Sequence, residues 1–308
     1  MSAGWVAGSV RARALARRRI GASAASDLAR CDSLPTALAR LGPTPYGRSI
    51  RAGQDLGEAQ HAVAATLLWH LRVLAGWLPP DGAELIRILA GGFEIANVDE
   101  LLQRLTARPA GPDFHLGSLA TAWSHLAGAS STEDLQARIT ASPWGDPGGD
   151  DHKAIQAGMR LAWAARIAAA APEARPWCAG AAALIVARER FLPPASPTEQ
   201  ALRRARPLIG AGALQSESLP EFARRLPRSA RWVVEGVQAP TDLWQAEIIW
   251  WTRVEGDGFA LLARSGFAPG PIVGALAILA VDAWRVRAAL QLAAGGGASM
   301  EGILNARA

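Results

Sequence analysis

A chain of 308 residues, half of them hydrophobic, can bury one large or two ordinary cores, which excludes a disordered tail. Alanine, leucine and arginine dominate while tyrosine occurs once and phenylalanine six times, so good helix formers crowd out the residues that strands favour and the expected fold is all-α. The net charge of +5 comes from arginines spread over the whole chain, with Lys153 the only lysine, and spread charge argues against a nucleic-acid footprint.

In chain order, the first helix is expected from Trp5 to about Ile20, with an arginine face at Arg11, Arg13, Arg17, Arg18 and Arg19. The segment after it is small and polar rather than the apolar core of a signal peptide, which points away from export. That arginine face suits solvent, an acidic partner or lipid headgroups; the apolar area beside it is too small for interfacial burial. A short helix over Leu34 to Leu41 ends at the Gly-Pro turn 42–45. From Leu56 to Leu78 the spacing of Val63, Leu67, Leu71, Leu74 and Leu78 predicts a central amphipathic helix, halted by Pro79-Pro80-Asp81-Gly82. Asp81 reads as the cap of the next helix, with Glu84 at capping-box distance; that helix breaks around Gly91-Gly92 and resumes through Leu105.

Residues 142–151 collect Gly, Pro, Asp and Ser and read as the strongest linker and boundary in the chain, with a second break over Leu192 to Pro197. Between them, Ala154 to Ala171 and Trp177 to Phe191 form a helical hairpin. The last third predicts a helix capped by Thr241 and ended by Gly256 and Gly258. A final helix follows from Pro271 to the stop at Gly295-Gly296-Gly297. Its apolar stretch leaves about ten helical residues before Asp282, against the roughly twenty that a membrane span needs, and is read as a buried core helix. Three successive blocks result, near 5–105, 110–192 and 198–295, each closing on arginines and acids: Glu94 to Arg104, Arg188-Glu189-Arg190, and Asp282 to Arg287.

Motifs for chemistry are missing. Cys31 and Cys178 make no CxxC pair or disulfide framework, which suits a reducing cytoplasm. The five histidines have no metal-ligand spacing, and His61 and His70, nine apart on one helix, are expected to be hydrogen-bonded core residues. No phosphate loop, dinucleotide fingerprint or nucleophile elbow is present, so no catalytic residue, cofactor or metal is assigned. Twelve tryptophans are expected mostly to fill the core; Trp250 and Trp251, about 100° apart on a helix, cannot share one face of it.

Two segments, Leu71 to Pro80 and Phe93-Glu94-Ile95-Ala96-Asn97-Val98, resemble the central-stalk subunit of archaeal- and vacuolar-type rotary ATPases, called C in archaea and d in eukaryotes, where a helix enters a "D/E-I-x-N-hydrophobic" turn. Gly8 to Leu15 is similar to that family's opening helix without its leading Asn; Leu184 to Arg190 and Leu279 to Arg287 resemble further copies of the turn, with Ala187 and Trp284-Arg285 at the usual Asn positions. The resemblance implies a single all-helical domain of three helical-hairpin repeats in a pseudo-threefold funnel. It implies a non-catalytic rotor subunit on the cytoplasmic face of the membrane, receiving the rotor shaft and seated on the proteolipid ring, with no cofactor, small-molecule substrate or nucleic acid. Arg11, Arg13, Glu94, Asn97, Arg188, Asp282, Arg285 and Arg287 become candidates for repeat-turn or partner contacts. A helical-repeat scaffold unrelated to ATPases is the alternative. An all-α enzyme with a Trp-lined pocket would need a DDxxD-type acid cluster, and Asp150-Asp151 sits in the glycine-rich segment instead.

Overall fold

The computed structural model describes residues 3–193 and 197–297, and among them every regular element is helical and no strand occurs. The expected break over Leu192 to Pro197 lies partly outside the described residues. In chain order the helices are α1 (Ala3–Ala16), α2 (Gly21–Ala29), α3 (Leu34–Leu41), α4 (Leu56–Trp77), α5 (Pro80–Leu89) and α6 (Gly91–Leu105). There follow α7 (Trp123–Leu126), α8 (Thr132–Thr140), α9 (His152–Ala170), α10 (Arg175–Phe191) and α11 (Glu199–Ile209). The last are α12 (Ala211–Leu214), α13 (Leu219–Arg225), α14 (Arg228–Arg231), α15 (Leu243–Ala263) and α16 (Pro269–Ala294). Among the described residues no helix is long and apolar enough to cross a membrane.

Local chemistry fixes many helix starts. A capping box opens α4: the Glu58 amide donates to Asp55 Oδ1 at 2.8 Å and the Asp55 amide to Glu58 Oε2 at 2.9 Å. Asp151 caps α9 and Thr198 caps α11 by accepting the amides three residues on, at 3.0 and 3.1 Å. Between α5 and α6 the indole of Trp163 lies on Gly91 and Gly92, where a Cβ would come within 2.9 and 2.8 Å of the ring. Its Nε1 donates to the Ile88 carbonyl at 2.7 Å, a polar tether beside the helix break.

The chain groups into two compact units, Met1–Ala83 with Val254–Ala308, and Glu84–Arg253, whose boundaries fall inside α5 and α15 and inside the first and third sequence blocks. In the first unit α16 is the core element, buried nearly all round, with α1, α2, α3 and α4 packed on it. Gly258 and Gly274 bring α15 and α16 together: a Cβ on Gly274 would stand 2.5 Å from the Gly258 carbonyl oxygen. In the second unit α10 holds the centre against α9, α11, α13 and α14, with Phe222, Ile209 and Val233 in its core. α6 packs on α9 around Ile95, Val98, Leu102, Ile155 and Met159.

Several expectations are corrected. Asp81 is not a cap, because α5 begins one residue earlier at Pro80, whose fixed φ suits a first turn, and Glu84 pairs with Arg87 instead. Thr241 caps nothing: it sits inside a 3-10 turn, Pro240–Asp242, that leads into α15. α16 starts at Pro269 rather than Pro271, and α1 stops at Ala16. Residues 142–151 are no boundary; they fold into the second unit, with Trp144 buried and Pro147 seated on Gly158, whose Cβ would meet the Pro147 carbonyl oxygen at 2.2 Å. Trp77, expected in the core, is 53 % exposed.

Candidate functional site

Two buried carboxylates organise the structure in the same way. Asp282, in the middle of α16, accepts the Gly21 amide on Oδ1 at 2.8 Å and the Ile20 amide on Oδ2 at 3.1 Å, and the Tyr46 hydroxyl donates to Oδ2 at 2.9 Å. Glu94, in the first turn of α6, accepts the Thr121 amide on Oε2 at 2.6 Å and the Ala122 amide on Oε1 at 2.9 Å, and the Trp144 indole donates to Oε1 at 2.7 Å. Each acid is fully buried and satisfied by two consecutive backbone N–H groups and one aromatic donor. Burial, then the charge and hydrogen bond of Asp282, push the Tyr46 phenol far above its ordinary pKa and keep it a donor. Arg166 lies over the Trp144 ring at 5.0 Å; burial lowers its pKa against the pull of Glu94.

The aromatic donors come from matching tetrapeptides, Thr44-Pro45-Tyr46-Gly47 and Ser142-Pro143-Trp144-Gly145. In both, the first hydroxyl donates to the carbonyl three residues back (Leu41, 2.6 Å; Ile139, 2.7 Å) and accepts the aromatic residue's amide (3.2 and 3.1 Å). Counting back eleven residues gives Ser33 and Ser131, the N-cap positions of α3 and α8. A third copy follows the same spacing: Ser218 precedes α13 at the N-cap, Leu226 matches the buried Leu41 and Ile139, and Ser229 matches Thr44 and Ser142. Here arginine replaces the aromatic residue. Arg231 donates to the carbonyls of Arg224 and Leu226 at 2.8 and 2.9 Å, and Arg190 of α10 donates to those of Leu214 and Ser216.

Of the other sequence candidates, Asn97 clamps the Phe114 backbone with both amide atoms, at 2.9 and 2.7 Å. Arg13 reaches the carbonyls of Leu262, Arg264 and Gly266 at 3.4, 2.9 and 3.3 Å, tying α1 to the turn before α16. Arg188 pairs with Glu247 at 2.7 Å, and Arg285 makes a two-pronged bridge to Glu255, one prong at 2.6 Å. Arg287 is exposed, and Arg11 is half-buried with its Nε enclosed and unpartnered. The structure thus brings Asp282 together with Tyr46, and Glu94 with Trp144, residues that spacing alone did not connect; the paired tetrapeptides were the signal that could have found them.

A second cluster went unread. His70 of α4 is buried and, among the described residues, makes no hydrogen bond, contrary to expectation. Burial, then Arg18, Arg48 and Arg11, lower its pKa to about 4, and Arg48 also stacks on the neighbouring Trp69 ring at 4.3 Å.

An open cavity of about 350 Å³ is lined by Leu102, Thr106, Arg108, Thr132, Asp150, Asp151 and His152. His152 pairs with Asp99 at 2.5 Å, but Asp151 is taken up in capping α9 and the Thr106 hydroxyl in bonding Leu102 and Gln103 carbonyls, so no free nucleophile stands beside that pair from these groups. Among the described residues no three of His, Cys, Asp and Glu are grouped to hold a metal ion. No protein-family model matches the chain, and comparison with curated proteins finds no match.

Proposed function

We propose that the chain is a non-catalytic rotor subunit of a V/A-type ATPase, a central-stalk adaptor that carries torque between the soluble shaft and the membrane proteolipid ring. The observation that supports this reading is the recurrence, three times along the chain, of one spacing: an N-cap Ser, a buried apolar residue eight positions on, and a hydroxyl residue three further on, which opens a turn in the first two copies and lies inside α14 in the third. In two of the copies a carboxylate on a long core helix, Asp282 or Glu94, gathers the turn and a neighbouring loop. A torque-bearing part needs rigid joints rather than reactive groups, and fully satisfied buried polar networks supply rigidity. The partner surfaces would belong to the shaft and the ring, on the cytoplasmic face of the membrane, with no nucleic acid, cofactor or small-molecule substrate required.

The test is purification of the tagged chain from its native membranes in mild detergent, with the accompanying chains identified by mass spectrometry. Recovery of the shaft, the proteolipid and the catalytic subunits is the expected result. Recovery of the chain with none of these sinks the proposal and leaves a helical-repeat scaffold for other partners.

A further inference from the structure

In the first unit the charges of Arg11 on α1, Arg18 in the turn that follows it and Arg48 in the 3-10 turn Pro45–Arg48 all act on His70 of α4, and α1 and that 3-10 turn both pack on α4. Among the described residues none of the three guanidinium groups has an ionic partner. Among the described residues Arg11 keeps an enclosed Nε with no acceptor, Arg48 lies over the face of Trp69 at 4.3 Å, and the Arg18 side chain makes no hydrogen bond. His70 is 5 % exposed, and among the described residues its imidazole, which can donate or accept, makes no hydrogen bond. Enclosed polar groups are ordinarily satisfied, and three unpaired cations in one place repel each other. Both facts are accounted for if an anion belongs there.

We propose that Arg11, Arg18, Arg48 and His70 form a binding site for a phosphate-class anion, a phosphate monoester or the phosphate of a lipid headgroup. The guanidinium forks match phosphate oxygens in charge and in geometry. A dianion with three terminal oxygens answers three cations better than a carboxylate with two. Neutral imidazole supplies a donor without adding a fourth repelling charge. Arg48 is pre-positioned by its stacking on Trp69, which lowers the cost of ordering it on binding. Arg18 and Arg48 are exposed and accessible to a ligand from solvent, while Arg11 is half-buried and His70 buried.

The proposal stands independently of the rotor reading and is tested on the full chain. Inorganic phosphate and glycerol 3-phosphate are titrated while the ring signals of isotope-labelled histidine are followed by NMR. In a parallel arm, phosphatidylcholine vesicles with and without phosphatidic acid are tested for sedimentation of the protein. A saturable shift of the His70 signals, with its pKa rising from about 4, is expected. Arg48→Gln or Arg18→Gln weakens binding about tenfold, the loss of one charge-assisted hydrogen bond. Arg203→Gln, at an exposed position of α11 in the other unit, changes nothing. Response to the soluble phosphates assigns a free anion, and response only to phosphatidic acid vesicles assigns a headgroup; each supports the site. Absence of both responses, or a response that Arg48→Gln and Arg18→Gln leave intact, overturns it.

Discussion

His70 links protonation to stability in a direction that can be worked out from its surroundings. Its folded pKa of about 4 lies below the ordinary 6.5 because burial and then the cations Arg18, Arg48 and Arg11 disfavour the charged ring. Between those two values the unfolded chain holds the extra proton, so stability is complete above pH 6.5 and falls as pH drops toward 4, by about 3 kcal/mol over the whole window. Urea unfolding of the wild type and of His70→Leu at pH 7 and pH 4.5 checks this: the wild type loses more stability than the variant, and equal losses refute it. Tyr46 offers a second measurement. Tyr46→Phe keeps the ring and removes one of the three donors to Asp282, at a cost of about 2 kcal/mol for a buried bond to a charged acceptor. An unchanged urea midpoint would show that the hydroxyl contributes nothing. Neither residue was legible as special in the sequence. A lone buried histidine looks like any other on an apolar helix, and Tyr46 gains its role from Asp282, 236 residues away.

The helices themselves follow the apolar period closely, as α3, α4 and α10 illustrate, because a 3.6-residue spacing and alanine-rich composition act locally. What failed was the reading of proline and of polar runs. Pro80 and Pro269 start helices where a stop or a later start was expected, since a residue without an amide costs nothing in a first turn. The glycine- and proline-rich stretch 142–151 reads as a linker only until Trp144 is seen to bind Glu94, a tertiary contact that composition cannot report. Glycines divide in the same way. Gly76, in the last turn of α4, and Gly274, in the second turn of α16, are both helical, but of the two only Gly274 faces another backbone. Gly76→Ala is therefore expected to stabilise by up to about 0.5 kcal/mol, since its site is open and it lies in the last turn of the helix. Gly274→Ala is expected to destabilise by about 1–3 kcal/mol, because its Cβ would collide with the Gly258 carbonyl. Thermal midpoints moving in the same direction for both variants would remove that distinction.

At the scale of the whole molecule, the first unit is built from both ends of the described chain: α16 supplies the face on which α1, α2, α3 and α4 pack, and Asp282 fastens the Ile20-Gly21 amides and Tyr46. No sequence pattern announces such a pairing, because each helix is amphipathic or apolar by itself and the partner is decided only on folding. The second unit is continuous in sequence and keeps its own cores. Ending the chain after Ala263 therefore removes one partner from α1–α4, exposing Leu15, Leu28, Leu41 and Val63, and leaves α6, α9, α10 and α11 with every contact they make among themselves. Hydrogen exchange read by mass spectrometry should show α1–α4 losing protection by orders of magnitude while α9 and α10 keep theirs, since opening is governed by the stability of each cooperative unit. Asp282→Asn in the full chain is the milder version: it turns an acceptor-only group into one with a competing donor, and raised exchange is expected over residues 20–46 alone. If truncation leaves α1–α4 protected, those helices hold together without α16 and the closure of the unit by its C-terminal helix is refuted.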